Sequence, residues 1–153
     1  LAAYKNVRVA GINAIKIDED DQLIGVVLTD GDNDVMLSMR HGKAIRFHES
    51  GARAVGRVSR GVRGVRLEGD DEVVSIDIVD TSASMMAITE NGYGKRTSFD
   101  EYRTQSRGGK GIISIQTSDR NGVVVSAHAV TDEHRLMLIS EGGQMICIGA
   151  NDL

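Results

Sequence analysis

The chain of 153 residues contains no proline, no tryptophan, one cysteine, two phenylalanines and three tyrosines. Each shortage excludes something. Without tryptophan there is no Trp-Asp signature, so a WD-type repeat is ruled out. With so few rings, the core must be packed by Val, Ile, Leu and Met. Single-stranded nucleic acid would find few surfaces on which to stack its bases. The single thiol, Cys147, cannot form an internal disulfide and suits a reducing, cytosolic setting. Its place in the apolar run 145–148 predicts a buried strand position. No apolar run approaches the ~18 residues a membrane helix needs, and no secretory leader is evident. The chain opens on Leu1 rather than Met, which reads as an excised piece of a longer protein. Its length suits one ordinary domain with a real core.

Catalytic and metal chemistry are also missing. His41, His48, His128 and His134 have no ligand-like spacing. Asp30-Gly31-Asp32-Asn33-Asp34 begins like a calcium loop, but Val35 and His41 stand where such a loop needs Gly and Glu. Gly92-Tyr93-Gly94-Lys95-Arg96-Thr97 has the flavour of a phosphate loop, yet lacks its first glycine and a following helix. No nucleophile–base–acid set is present. The expectation is a chain without catalytic residues, metal or cofactor.

What is present is a repeat of about 50 residues. The segment 23–26 matches 73–76 and 124–127, the segment 35–37 matches 85–87 and 136–138, and Gly42 matches Gly92 and Gly143. Each unit offers four short segments rich in Val, Ile and Leu; in the first unit they are 12–17, 23–29, 35–39 and 44–47. Between them lie Asp20-Asp21, Asp70-Asp71 and Asn121-Gly122, and the hairpin pairs His41-Gly42, Asn91-Gly92 and Gly142-Gly143. No stretch keeps a helical period for three turns. The sequence therefore predicts an all-β, propeller-like chain of about three four-stranded antiparallel blades. It forms one partial domain over 1–153, with repeats at roughly 8–57, 58–104 and 105–153. Three blades are fewer than a closed propeller uses, so exposed edges are expected.

Charge carries the functional signal. The net charge is −4, yet residues 40–66 hold eight Lys/Arg and one acid, and 95–110 hold five Lys/Arg and two acids. The acids gather at 18–21, 30–34, 68–72 and 132–133. This segregation predicts one basic and one acidic surface. The joins between repeats read Ser59-Arg60-Gly61-Val62-Arg63-Gly64 and Ser106-Arg107-Gly108-Gly109-Lys110-Gly111. Glycines let such a backbone turn sharply and approach a ligand, while the cations reach phosphates on either side. Arg53, Arg57, Arg60, Arg63 and Arg66 fall in one acid-free run, and Arg8-Val9-Ala10-Gly11 is a faded version at the first join. Arg40, Lys43 and Arg46, then Lys95 and Arg96, add charge after each hairpin turn, and Arg103, Arg107 and Lys110 extend the track. These thirteen residues, from Arg40 to Lys110, are the expected DNA contacts. Binding through backbone charge and bending, without base reading, is the expected mode.

The strings 91–97, 60–67 and Gln105-Ser106-Arg107-Gly108-Gly109-Lys110-Gly111 resemble the C-terminal domain of the bacterial DNA gyrase A subunit, across essentially the whole chain. The last of these matches that family's gyrase box, Q-R-R-G-G-K-G, except at Ser106. The resemblance implies a six-bladed β-pinwheel that wraps double-stranded DNA around a basic rim. The flanking sequence is similar to the third to fifth blades, which makes 105–111 a degenerate box. The resemblance further implies the rest of the gyrase A subunit and the gyrase B subunit as partners in an A2B2 holoenzyme that uses ATP to introduce negative supercoils. Strand cleavage would lie elsewhere, and the location would be the bacterial cytoplasm, at the nucleoid, with no membrane contact. Two other readings fit the repeat: the C-terminal domain of the topoisomerase IV A subunit, and a propeller that docks proteins.

Overall fold

The computed structural model describes residues 4–6 and 9–153, so Arg8 of the faded first join lies outside the described residues. Among those residues the chain is all-β, with β1 (Asp34–Met39), β2 (Lys43–His48), β3 (Val73–Ile78), β4 (Ser84–Thr89), β5 (Gly94–Ser98), β6 (Ile112–Ile113), β7 (Val124–Val130), β8 (Arg135–Ile139) and β9 (Met145–Gly149). They form three antiparallel sheets, ordered β3-β1-β2-β6, β5-β4-β7 and β8-β9.

Each sheet is seeded by one hairpin. In the first, Leu37 faces Ile45 and Val35 faces Phe47 across a turn at Gly42. Gly42, Gly92 and Gly143 all take a positive φ, of 81°, 79° and 78°, as their turn positions require. The remaining strands come from later repeats. β3 of the second repeat pairs with β1 of the first, and β7 of the third pairs with β4 of the second. β6, from the start of the third repeat, closes the far side of β2. A complete sheet therefore draws on three consecutive repeats. The all-β, antiparallel class is as expected, and the first sheet has the expected four strands. Among the described residues the sheets contain four, three and two strands.

The same rule explains three further departures. The segment 23–29, expected as a strand, forms none; its equivalents β3 and β7 pair with the hairpin of the preceding repeat, and no such hairpin precedes 23–29 among the described residues. The segment 12–17 likewise forms no strand, whereas its equivalent β6 does, on β2. Cys147 lies on β9 as expected but is exposed rather than buried; among the described residues no third strand pairs with this hairpin.

The first sheet is covered on both faces. Val35, Leu37 and Met39 alternate onto a cluster with Ile45, Phe47 and Val65. Met36 points the other way, into a cluster with Met85, Ala87, Phe99 and Tyr102 of the second repeat. This is why β1 reads as a nearly continuous apolar run. Fully burying a side chain such as Met36 or Phe99 contributes about 1.5–3 kcal/mol. Close backbone approach locks the closing strand in place. A Cβ on Gly42 would overlap the Ile115 carbonyl oxygen, and one on Gly111 would crowd that of Ala44. Gly92, the equivalent of Gly42, meets nothing within 4 Å.

Two arginines staple successive repeats. Arg46 is 17% exposed; it donates from Nε to Asp34 at 2.7 Å and from Nη1 to the Phe99 carbonyl at 3.0 Å. Arg96, its equivalent, pairs with Asp132 at 2.6 Å and donates to the Ala150 carbonyl at 2.9 Å. Phe99 and Ala150 both open a short 3-10 turn after a hairpin. Asp77 on β3 joins the first two sheets: its carboxylate accepts the Ala129 N–H at 3.1 Å and lies 3.7 Å from His128 on β7.

Stability is expected to be graded along the chain. An isolated two-stranded hairpin is marginal in water, so amide hydrogens of β8 and β9 should exchange faster than those of β1 and β2. Uniform protection across the three sheets in a hydrogen-exchange experiment would contradict the shared-strand account. A second expectation concerns pH. The Asp77 carboxylate beside His128 raises its pKa above the ordinary 6.5, against partial burial, which lowers it. A raised pKa contributes stability below the ordinary value and loses it as pH rises through the folded value. The urea midpoint of wild type minus that of His128→Asn should therefore shrink from about pH 6 to about pH 8. A constant difference would remove His128 from the sheet junction's energetics.

Candidate nucleic-acid interface

The joins turn at glycines spaced 50 residues apart. Gly11, Gly61 and Gly111 have φ of 78°, 83° and 73°. This geometry makes Arg57 equivalent to Arg107, and Arg60 equivalent to Lys110. Matching the joins by residue type instead pairs Arg60 with Arg107, three residues out of register. The turn decides because its glycine must adopt left-handed backbone, whatever its neighbours are.

The two joins lie side by side. The Gly108 N–H donates to the Gly64 carbonyl at 2.7 Å, and the Arg66 N–H to the Gly109 carbonyl at 2.8 Å. Arg107 reaches back across the pair, donating from Nε to the Gly51 carbonyl at 2.8 Å and from Nη1 to the Arg63 carbonyl. Gln105, first residue of the box-like string, is anchored inward: its N–H donates to the Arg46 carbonyl at 2.8 Å, and its carboxamide nitrogen is buried. The string 105–111 is thus a scaffold that presents Lys110 and holds neighbouring backbone.

Around this pair the structure gathers Arg40, Lys43, Arg63, Arg66, Arg107 and Lys110. Glu68, on the turn before β3, bonds Lys43 at 2.6 Å and Lys110 at 2.5 Å. Beside it Arg40 bonds Glu72 at 2.8 Å. On the first join Arg60 pairs with Asp18 at 3.2 Å, and Arg57 donates weakly to the Asn13 carbonyl at 3.4 Å. Arg53 and Arg103, equivalent positions 50 residues apart, are exposed, as are Arg63 and Arg66. Lys95 is exposed and donates to the Ser114 carbonyl at 3.2 Å. Eleven of the thirteen expected residues therefore stand on accessible joins, turns or strand ends. Arg46 and Arg96 do not, since each is spent on a carboxylate and a turn carbonyl within the fold.

The acids do not keep to a separate surface. The clusters at 18–21 and 68–72 fold back onto the basic joins through Asp18, Glu68 and Glu72. Separation along the chain reflects the order of turn and join, while folding sets one against the other. The Glu68 carboxyl is held down to about 2, by its hydrogen bond to Lys110 first and that to Lys43 second. It is a carboxylate at any physiological pH.

Of the four basic residues not singled out from the sequence, Lys5, Lys16, Arg120 and Arg135, one makes a contact to an aromatic ring. Arg120 donates to the Tyr93 hydroxyl at 3.0 Å and stacks over its ring at 5.2 Å. It lies on the turn before β7 and so ties that turn to the tip of the β4–β5 hairpin. The other tyrosines serve the fold: Tyr102 is buried, with its hydroxyl 2.6 Å from that of Ser114, and Tyr4 donates to the Ala14 carbonyl at 3.3 Å. Among the described residues no cluster of His, Cys, Asp and Glu could hold a metal ion, and no helix is long and apolar enough to cross a membrane.

Known proteins match this geometry. The family described as DNA gyrase C-terminal domain, beta-propeller, matches residues 4–30, 40–80 and 83–131. The DNA gyrase A subunit of Salmonella typhimurium is 46% identical over 146 residues, covering 95% of this chain and 17% of that protein. The DNA gyrase A subunit of Haloquadratum walsbyi is 44% identical over 153 residues, covering 99% of this chain and 18% of that protein. The chain thus spans under a fifth of the length of the curated relatives it matches. Among solved structures, the C-terminal domain of DNA topoisomerase IV superposes with a TM-score of 0.92 at 27% identity, over 99% of this chain and 48% of that one. The DNA gyrase A C-terminal domain superposes with a TM-score of 0.85 at 27% identity, over 94% of this chain and 50% of that one. With the family match running through both joins and over more than half of its length, this chain belongs to the DNA gyrase C-terminal domain family of β-propellers.

Proposed function

We propose that this chain binds and bends duplex DNA through phosphate contacts along its joins, within the gyrase A subunit. The observation that carries the reading is the convergence, on two adjoining joins, of exposed Lys and Arg from three successive repeats. Cations placed along connections between successive sheets suit a backbone path that curves with the sheets. Each phosphate neutralised releases counterion, which offsets the roughly 1–6 kcal/mol that bending a short site costs. The scarcity of exposed aromatics supports duplex over single strand. In this reading the chain is a non-catalytic binding module. Its partners are double-stranded DNA, the remainder of the gyrase A subunit and the gyrase B subunit. The holoenzyme they form supplies strand cleavage, ATP hydrolysis and negative supercoiling in the cytoplasm.

The test is binding to a duplex of about 40 base pairs across a salt series. With about six phosphate contacts, affinity should drop roughly a thousandfold between about 50 and 200 mM salt. Changing Arg57, Arg60 and Arg63 together to Ala should make the log–log slope shallower by about 2.7 while leaving the fold intact, since these side chains reach only weak or exposed partners. A flat salt dependence, or an unchanged slope in the triple variant, would remove the joins from the interface and favour a protein-docking propeller.

A further inference from the structure

We propose that Lys43 and Lys110 form one phosphate subsite of the DNA-binding surface, and that Glu68 fills it in the free protein as a built-in competitor. The proposal rests on the DNA-binding reading above and adds to it the residue that sets affinity at this point.

The arrangement has the geometry of an anion site. Lys43 comes from the start of β2 in the first repeat, and Lys110 from the join into the third. They converge from different parts of the chain on a single carboxylate. Each oxygen takes one ammonium, Oε2 with Lys43 at 2.6 Å and Oε1 with Lys110 at 2.5 Å. Two non-bridging oxygens of a phosphate diester could replace them one for one. The site is open to such an exchange: the side chains of Glu68 and Lys110 are 45% and 58% exposed. Ion pairs this exposed are weak and give way readily to another anion.

The device recurs. Fifty residues earlier, Asp18 stands at the position of Glu68 and Arg60 at that of Lys110, and the two are paired at 3.2 Å. The carboxylate on the turn of one repeat thus covers the join cation leading into the next, at both joins where turn and join are described. Neither carboxylate is needed to hold a strand: the strand pairings of β2 and β6 are made by backbone. Glu68 also remains ionised at every working pH, its carboxyl being held down to about 2. Release must therefore come from displacement by another anion rather than from protonation.

The experiment compares wild type, Glu68→Gln, Lys43→Ala/Lys110→Ala and the triple combination, each binding a 40-base-pair duplex at low salt. Glu133→Gln, an exposed acid away from the joins, controls for net charge. Glu68→Gln should bind roughly three- to tenfold more tightly than wild type, Glu133→Gln should gain clearly less, and the Glu68→Gln gain should vanish when both lysines are absent. Asp18→Asn should reproduce a smaller gain through Arg60. Equal gains from Glu68→Gln and Glu133→Gln, or a gain that persists without the lysines, would overturn the subsite. Wild type binding with a steep salt slope but no change in Glu68→Gln would sink this proposal alone. If neither wild type nor Glu68→Gln binds duplex, the DNA-binding reading falls as well.

Discussion

A β-hairpin leaves two rows of backbone N–H and C=O groups unpaired at its outer edges, and none of the three hairpins here satisfies them from within its own repeat. β1–β2 gains β3 on one side and β6 on the other, contributed by the next repeat and the one after. Among the described residues β4–β5 gains β7, and β8–β9 gains no further strand. Everything else follows from this borrowing. It forces the chain to cross from sheet to sheet within each repeat. It places Arg46 and Arg96 where they can grip the turn of the following repeat. It also explains why Gly42 is packed tightly against Ile115 while Gly92 faces open space.

The crossings are where the basic side chains of the joins sit. A connection that runs over the surface must keep its backbone satisfied, and these joins do so by bonding to one another, through Gly108 to Gly64 and Arg66 to Gly109. Of their side chains, Arg60, Arg63, Arg66 and Lys110 stand exposed on the surface. A net charge of −4 and a polyanion partner are compatible in such a design. The acids on the preceding turns, Asp18, Glu68 and Glu72, pair with cations of the joins and hairpin turns. Repulsion between cations crowded at the joins is thereby relieved without burying any of them.

Much of the fold was legible in the residues. The 50-residue period, the hairpins at Gly42, Gly92 and Gly143 and the all-β class are local properties, written in turn chemistry and β-branched runs. The basic character of the joins was equally plain. The segments 12–17 and 23–29 read as strands because they carry the right residues, and they join no sheet because pairing needs a neighbour. Arg46 and Arg96 read as surface cations because charge is visible in sequence, whereas the turn carbonyls that capture them lie some fifty residues away.

The division between the two is physical. Short-range interactions act between residues a few positions apart, so composition and spacing alone determined the turns, the strand propensities, the lack of any evident catalytic constellation and the position of charge along the chain. Long-range pairing decided the rest. Only the tertiary structure chose which hairpin each strand completes, left Cys147 uncovered on a two-stranded end, set the join register by Gly61 and Gly111, and brought Glu68 between two lysines sixty-seven residues apart. Those outcomes depend on which edges and which charges meet in space, and no local pattern encodes the meeting.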